Sequence, residues 1–293
     1  MDLITTAVGP NVLPKIAPLF AQALEYKAQK QINGFIHIIA CENVIAGSEL
    51  LKNEIYKLLN EDTRAYVDQW IGFPNSAVDR IVPIQENTEP LLVRVEPYYE
   101  WIIDQTKIKD DLSIRGAIFT DKLDAYIERK LYLVNAGHAA IAYAAYSKGY
   151  ATISDALRDV EIYDHVKGQM LEAASLLSLK HGFSYKELAT YAEKTLDRFS
   201  SPDITDSIFR VGRSPLRKLS PNDRFIRPLK DLYAFNLKSK HFEESILNAL
   251  NYDYSFDDEA VQLQEMIKSK GIKRVLIEVC GLDENLPFVK RSS

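Results

Sequence analysis

The chain has 293 residues, 46% hydrophobic and 26% charged, with a formal net charge of -5; it is the make-up of a globular protein with room for two domains, and its acidic balance argues against a general nucleic-acid surface. No apolar run reaches the roughly 20 residues of a membrane span, and "MDLITTAVGP" lacks the pattern of a signal peptide. Two isolated cysteines, Cys41 and Cys280, suit a reducing cytoplasm, and five histidines without metal-ligand spacing lead us to expect no catalytic metal.

In chain order, "LITTAV" (Leu3–Val8) reads as a short buried strand, "VLPKIAPLFAQALEYKAQ" as a helix with two early prolines, and "FIHIIA" (Phe35–Ala40) as a second strand. "SELLKNEIYKLLN" reads as a helix with Ser48 as its N-cap. "AVDRIVP" and "PLLVRVEP" read as further extended segments. Alternating β and α elements predict a mostly parallel sheet with helices against it. From about Asp121 the strand signal fades, and helices are expected over Lys122–Lys148, Ile153–His181, Tyr185–Phe199, Pro228–Phe235, His241–Leu250 and Asp258–Lys270. The fold class expected is therefore α/β plus mostly α, with an α/β part over residues 1–115 and a multi-helical part over residues 116–293.

One helix stands out. "ERKLYLVNAGHAAIAYAAY" (Glu128–Tyr146) is apolar or small on every side in its second half, as a helix enclosed by protein would be, yet it holds Lys130, Asn135 and His138. At about 100° per residue from Lys130, Asn135 falls at about 140° and His138 at about 80°, so the three share one side. A desolvated lysine is a base near neutrality, and an amide and an imidazole can hydrogen-bond an oxygen that gains negative charge. The alternative is a lysine that snorkels to water beside two satisfied core polar groups.

At these residues the chain resembles the polyol-specific long-chain dehydrogenases, whose signature K-x-x-x-x-N-x-x-H it matches at Lys130, Asn135 and His138. "TTAVGP", "IIACEN", "NSAVDRIVP", "VEPYYEWIID" and "RVGRSPLRKLSPNDRFIRPL" agree with the family in order and span most of the chain. The resemblance implies part of a Rossmann-type NAD-binding domain, then a helical catalytic domain. It implies NAD-dependent interconversion of mannitol 1-phosphate and fructose 6-phosphate, without zinc. In it Lys130 is the general base, Asn135 and His138 polarise the reacting oxygen, and Asn43 completes the oxyanion contacts. Asp79 matches an aspartate at the family's second-domain boundary, and the readings for it are that it helps orient substrate or that it only pairs with Arg80. Thr6, Ala7, Val8 and Gly9 line the nicotinamide side of the cofactor.

Between Ile208 and Lys230 lie seven basic residues and one acidic, and a sugar phosphate needs such charge; Arg213 and Arg217 are the first candidates to bind it. The family's glycine-rich G-x-G-x-x-G turn is not in the sequence. The expectation is an amino-terminally truncated dehydrogenase that binds NAD poorly and turns over slowly alone, with no membrane or nucleic-acid partner. Competing expectations are a mannitol 2-dehydrogenase or uronate reductase of the same family, and a non-catalytic sugar-phosphate-binding scaffold.

Overall fold

Strand β1 (Leu3–Thr6) runs parallel to β2 (Ile36–Ala40), with Leu3 opposite His37 and Thr6 opposite Ala40; β2 pairs on its other edge with β3 (Ile71–Gly72). The computed structural model describes residues 2–82, 85, 87–202 and 206–292. The chain forms two units, Met1–Ile81 with Val95–Ile127 and Val82–Arg94 with Glu128–Ser293.

In the first unit, helix α1 (Leu13–Gln29) follows a 3₁₀ turn at Pro10–Val12, and it buries Leu13, Ala17, Ala21 and Leu24 along one stripe. Helical spacing of four, four and three residues makes that stripe, and it packs with Ile38, Leu51, Ile55 and Val67. Pro14 stands in the first turn, where no intrahelical partner awaits its missing N–H. Helices α2 (Gly47–Tyr56) and α3 (Glu61–Trp70) complete the layer.

The expected N-cap role of Ser48 is not what forms. The cap position of α2 is Ala46, in the left-handed region at φ 56°, and Ser48 lies inside the helix. The cap comes from Asn75, whose Oδ1 accepts from the Ser48 amide at 3.1 Å and the Glu49 amide at 3.2 Å. The Ser48 hydroxyl, fully buried, donates to the Pro74 carbonyl at 2.7 Å and accepts from the Ala40 amide at 2.9 Å. It thereby joins the end of β2 to the segment after β3.

A second sheet holds β4 (Ser76–Asp79), β5 (Glu100–Asp104) and β6 (Ala117–Thr120). The expectation of mostly parallel pairing is met: β5 and β6 are parallel, like the pairs of the first sheet, and among the described strands β4 alone runs antiparallel, to β5, with Ser76 opposite Ile103. Strand direction leaves no mark on the alternation from which the segments were read. "AVDRIVP" supplies β4, though its last residue, Pro83, lies outside the described residues. "PLLVRVEP" enters no strand, and Leu91 in it is 96% exposed.

From α4 (Leu123–Arg129) the chain passes through a π turn (Lys130–Asn135) into α5 (Ala136–Ser147). The expected helix over Ile153–His181 is two helices, α6 (Ile153–Ala156) and α7 (Val160–His181). The break is made by Asp159, whose carboxylate accepts from the amides of Glu161 and Ile162 and so caps α7. Then come α8 (Tyr185–Phe199), α9 (Ile208–Gly212), α10 (Pro215–Lys218), α11 (Ile226–Ala234), α12 (Lys240–Leu250), α13 (Asp258–Lys270), α14 (Ile272–Glu278) and α15 (Pro287–Arg291). Helix α5 is the axis of this unit, with nine of its residues buried, and it packs against α6, α7, α9 and α12. Its alanines and Gly137 let those helices approach closely; a Cβ on Gly137 would lie 3.2 Å from Met170 Sδ. Among the described residues no helix is long and apolar enough to cross a membrane.

Ser48→Ala leaves the Ala40 amide and the Pro74 carbonyl without this partner in a dry site. The expected loss is about 2 kcal/mol of unfolding free energy, read as a lower urea midpoint at unchanged slope.

Candidate active site

The helix that carries Lys130, Asn135 and His138 is not the uniform α-helix assumed from sequence. The Ala136 amide donates to the Leu131 carbonyl five residues back, the hydrogen bond of a π turn. The extra residue matters. In such a turn residues five apart become neighbours, so Lys130 and Asn135 lie closer than the 140° of α geometry. Lys130 and His138, eight residues apart, are then separated by what is nearly seven α steps, or about two full turns. Burial agrees: from Lys130 to Ala140 the half-buried residues are Lys130, Leu131, Asn135 and His138, and the rest are buried. The three polar groups form one file on the open side.

His138 is the best defined of them. Its ring stacks on Phe199 at the end of α8, with centroids 4.4 Å apart and planes inclined by 13°. Nε2 lies 3.3 Å from Oδ2 of Asp206, a buried carboxylate that also takes both Nε and Nη2 of Arg210. Withdrawal from water pushes the imidazole down to about 4; the attraction of Asp206 opposes this, while the charges of Arg210, Arg224 and Lys218 add to it. The ring is therefore neutral at physiological pH. On the same helix, the Asn135 carbonyl accepts from Arg224 Nη1 at 3.5 Å.

Lys218 closes the group and was not singled out from the sequence. It is 3% exposed, its amine bonds the Arg213 carbonyl, and burial followed by the charges of Arg224 and Arg217 pushes it down to about 7. Arg210, Lys218 and Arg224 all come from the basic stretch noted in the sequence, but composition cannot say that Lys218 is enclosed, Arg224 half-buried and Arg210 exposed with Asp206 as its partner. The two first chosen are both exposed. Arg213 is exposed and lines a cavity of about 510 Å³ with Arg210, Tyr254, Phe256 and the carboxylates of Asp257, Asp258 and Glu259. Arg217 is exposed, 3.6 Å from Asp223, and its amide donates to Glu259 at 3.0 Å.

The remaining predicted residues belong to the first unit. Thr6 ends β1, buried, and its hydroxyl has no hydrogen-bond partner among the described residues. Ala7 and Val8 are exposed, and Gly9 turns the chain at φ 95°. The amides of Val8 and Gly9 are engaged: Glu42, buried behind β2, accepts from them at 3.0 and 2.7 Å. Asn43, the next residue, is exposed at the carboxyl end of β2. Asp79 is buried at the end of β4, and Arg80 donates to the Glu96 carbonyl and stacks on Tyr99. Glu42 had no sequence signal beyond its place in "IIACEN". Among the described residues no three His, Cys, Asp or Glu side chains are grouped to hold a metal ion.

Comparison with known proteins identifies the family. A family model described as the mannitol dehydrogenase Rossmann domain matches residues 1–116, and one described as the mannitol dehydrogenase C-terminal domain matches residues 122–292. The chain belongs to the mannitol dehydrogenase family. It is 44% identical over 284 residues to a mannitol-1-phosphate 5-dehydrogenase of Enterococcus faecalis, covering 97% of this chain and 73% of that protein. It is 46% identical over 287 residues to one of Bacillus subtilis, covering 98% and 75%. Among solved structures, substrate-free D-sorbitol dehydrogenase superposes with a TM-score of 0.74 at 15% identity over 88% of this chain and 61% of that one. Mannitol 2-dehydrogenase of Pseudomonas fluorescens, in complex with NAD and D-mannitol, gives 0.70 at 18% identity over 95% and 67%. The fold is thus that of the family, a Rossmann-type part followed by a helical carboxyl-terminal domain, and the chain is a dehydrogenase.

The neutral His138 has a consequence for stability. The native ring resists protonation until about pH 4, whereas in the unfolded chain it gains its proton near 6.5, so stability stays level above that value and falls with pH through the interval between them. By pH 5 His138 accounts for about 2 kcal/mol of lost stability. Urea unfolding at pH 7 and pH 5 of the wild type and His138→Gln checks this: the variant's loss is smaller by that amount.

Proposed function

We propose that the chain is a mannitol-1-phosphate 5-dehydrogenase, interconverting mannitol 1-phosphate and fructose 6-phosphate with NAD, by a zinc-independent route in which Lys130 is the base. What carries the reading is the file of Lys130, Asn135 and His138 in a chain of this family, with Arg210, Lys218 and Arg224 gathered at its imidazole end.

Bound NAD would supply the hydride acceptor for the carbon that bears the reacting hydroxyl. Lys130, half-buried, takes the hydroxyl proton in the oxidising direction and returns it in the other. The Asn135 side chain donates to the oxygen as its negative charge grows. His138, with Nε2 turned to Asp206, presents Nδ1 to the substrate; Asp206 holds the ring's orientation, much as a carboxylate fixes a catalytic histidine elsewhere. Arg224 and Lys218 offer the positive charge that a phosphate group requires, and bound phosphate would favour the charged form of Lys218.

The first unit fits the nicotinamide end of the cofactor in one respect: the Thr6 hydroxyl, buried at the end of a parallel strand with no partner among the described residues, suits a carboxamide. The amides of Val8 and Gly9, already held by Glu42, offer no anion cradle. Asn43, Asp79 and Ala7 enter this reading through the family resemblance alone, and Arg213 and Arg217 through the charge of the stretch that holds them. Cytoplasmic residence agrees with the two free cysteines.

Two experiments test it. Mannitol 1-phosphate is expected to raise the melting temperature of the chain where the same concentration of mannitol does not, and to do so less for Lys218→Gln; equal shifts by both polyols would make the unphosphorylated sugar the substrate. With NADH in large excess, Lys130→Ala is expected to lower kcat on fructose 6-phosphate by about 10²–10⁴ at nearly unchanged KM. A loss confined to KM would give Lys130 a binding role instead.

A further inference from the structure

Glu128 stands two residues before Lys130, at a depth where it is 4% exposed. A carboxylate so placed is costly unless it is paired, and this one is paired three times. Lys180 Nζ lies 3.0 Å from Oε1 and 2.9 Å from Oε2, His181 Nε2 lies 2.7 Å from Oε2, and Arg227 Nη2 also bonds Oε1. Lys180 reaches on to Asp231 at 2.7 Å, and Asp231 accepts from the Tyr132 hydroxyl at 3.2 Å. Burial alone would raise the Glu128 carboxyl, but the bonds from His181 and Lys180 and the charge of Arg227 outweigh it and hold it below the usual range. The ionised form persists through neutral pH.

The placement of these partners is what gives the network meaning. Glu128 belongs to the last turn of α4, and Tyr132, fully buried, lies inside the π turn. Both tether points lead to the same two helices: α7 gives Lys180 and His181, and α11 gives Arg227 and Asp231. Between them Arg129 stacks on the Tyr191 ring of α8, its guanidinium 4.6 Å from the centroid. Lys130 is thus bracketed by side chains with fixed partners. A π turn is rare and competes with continuous α-helix, in which Asn135 and His138 would stand at other angles to Lys130.

We propose that Glu128 is a positioning residue, whose buried ion network with Lys180, His181 and Arg227, continued through Asp231 to Tyr132, holds the π turn and thereby sets the aim of Lys130 towards the groups on Asn135 and His138. The proposal rests on the reading of Lys130 as the base. It assigns Glu128 no contact with substrate.

Glu128→Gln keeps the shape and removes the charge, while Tyr132→Phe cuts the other tether and leaves every charge in place. Each is expected to lower kcat on fructose 6-phosphate by about tenfold or more with KM changed less than about threefold, and Glu128→Asp is expected to recover part of the loss. Lys148→Gln, which removes a cation from the exposed pairs with Asp159 and Glu161, serves as the control with unchanged kcat. A second readout needs no turnover: labelling of Lys130 by trinitrobenzenesulfonate, followed by peptide mass spectrometry across neutral and alkaline pH. Its midpoint is expected to move by about half a pH unit or more in Glu128→Gln and in Tyr132→Phe. Folded variants with wild-type kcat and a wild-type labelling profile overturn the proposal. If the wild type reduces no sugar phosphate, the functional reading fails while the labelling still decides the positioning. Should Glu128→Gln not fold, Tyr132→Phe decides alone.

Discussion

An extra residue in one turn of one helix governs the arrangement of this site. A π turn gives up the favourable spacing of α geometry, so it persists only where its surroundings hold it, and here they hold it from three sides. The benefit is angular. Groups that an unbroken helix would spread over a wide arc come into file, with the buried face of the same turn still packed by Tyr132, Leu133 and Val134. Packing and chemistry are thus served by opposite faces of six residues.

Charge is handled in two different ways around that turn. On the α7 and α11 side, opposite charges are matched bond for bond, with Glu128 and Asp231 facing Lys180 and Arg227. On the His138 side Arg210 is answered by Asp206 and Arg224 by Asp223, while Lys218 bonds a backbone carbonyl, and together the cations discourage a second proton on the imidazole. A closed network suits a structural support, whereas a surplus of one sign suits a place that receives an ion of the other.

The sequence made much of the helical unit legible. Helices α8 and α13 run over the residues expected, because Ser184 and Asp257 cap them locally and their apolar residues recur at helical spacing. The π turn was hidden by the very burial that drew attention to the helix: where nearly every position is apolar, no periodicity remains to show a change of pitch. Ser48 misled for another reason. A serine before an amphipathic run looks like a cap, but the true cap, Asn75, is 27 residues away and is brought near by folding alone. Lys218 lay within a stretch already marked as basic, and what distinguishes it, enclosure beneath its neighbours in a four-residue helix, is a tertiary property. The signature residues drew attention because their chemistry was out of keeping with their surroundings, and the roles expected of them came from the family resemblance.

Helix α5 sets a boundary on how this scaffold can be retooled. Ala136, Ala139, Ala140, Ala142 and Ala145 abut neighbouring helices with essentially no accessible surface, so a larger side chain at any of them must push backbone rather than fill space. Room remains at half-buried Leu131 in the π turn before the rod, and at half-buried Tyr146 and exposed Ser147 at its far end. A library aimed at this rod therefore has room at those positions, whereas one that randomises its alanines asks tightly packed backbone to move.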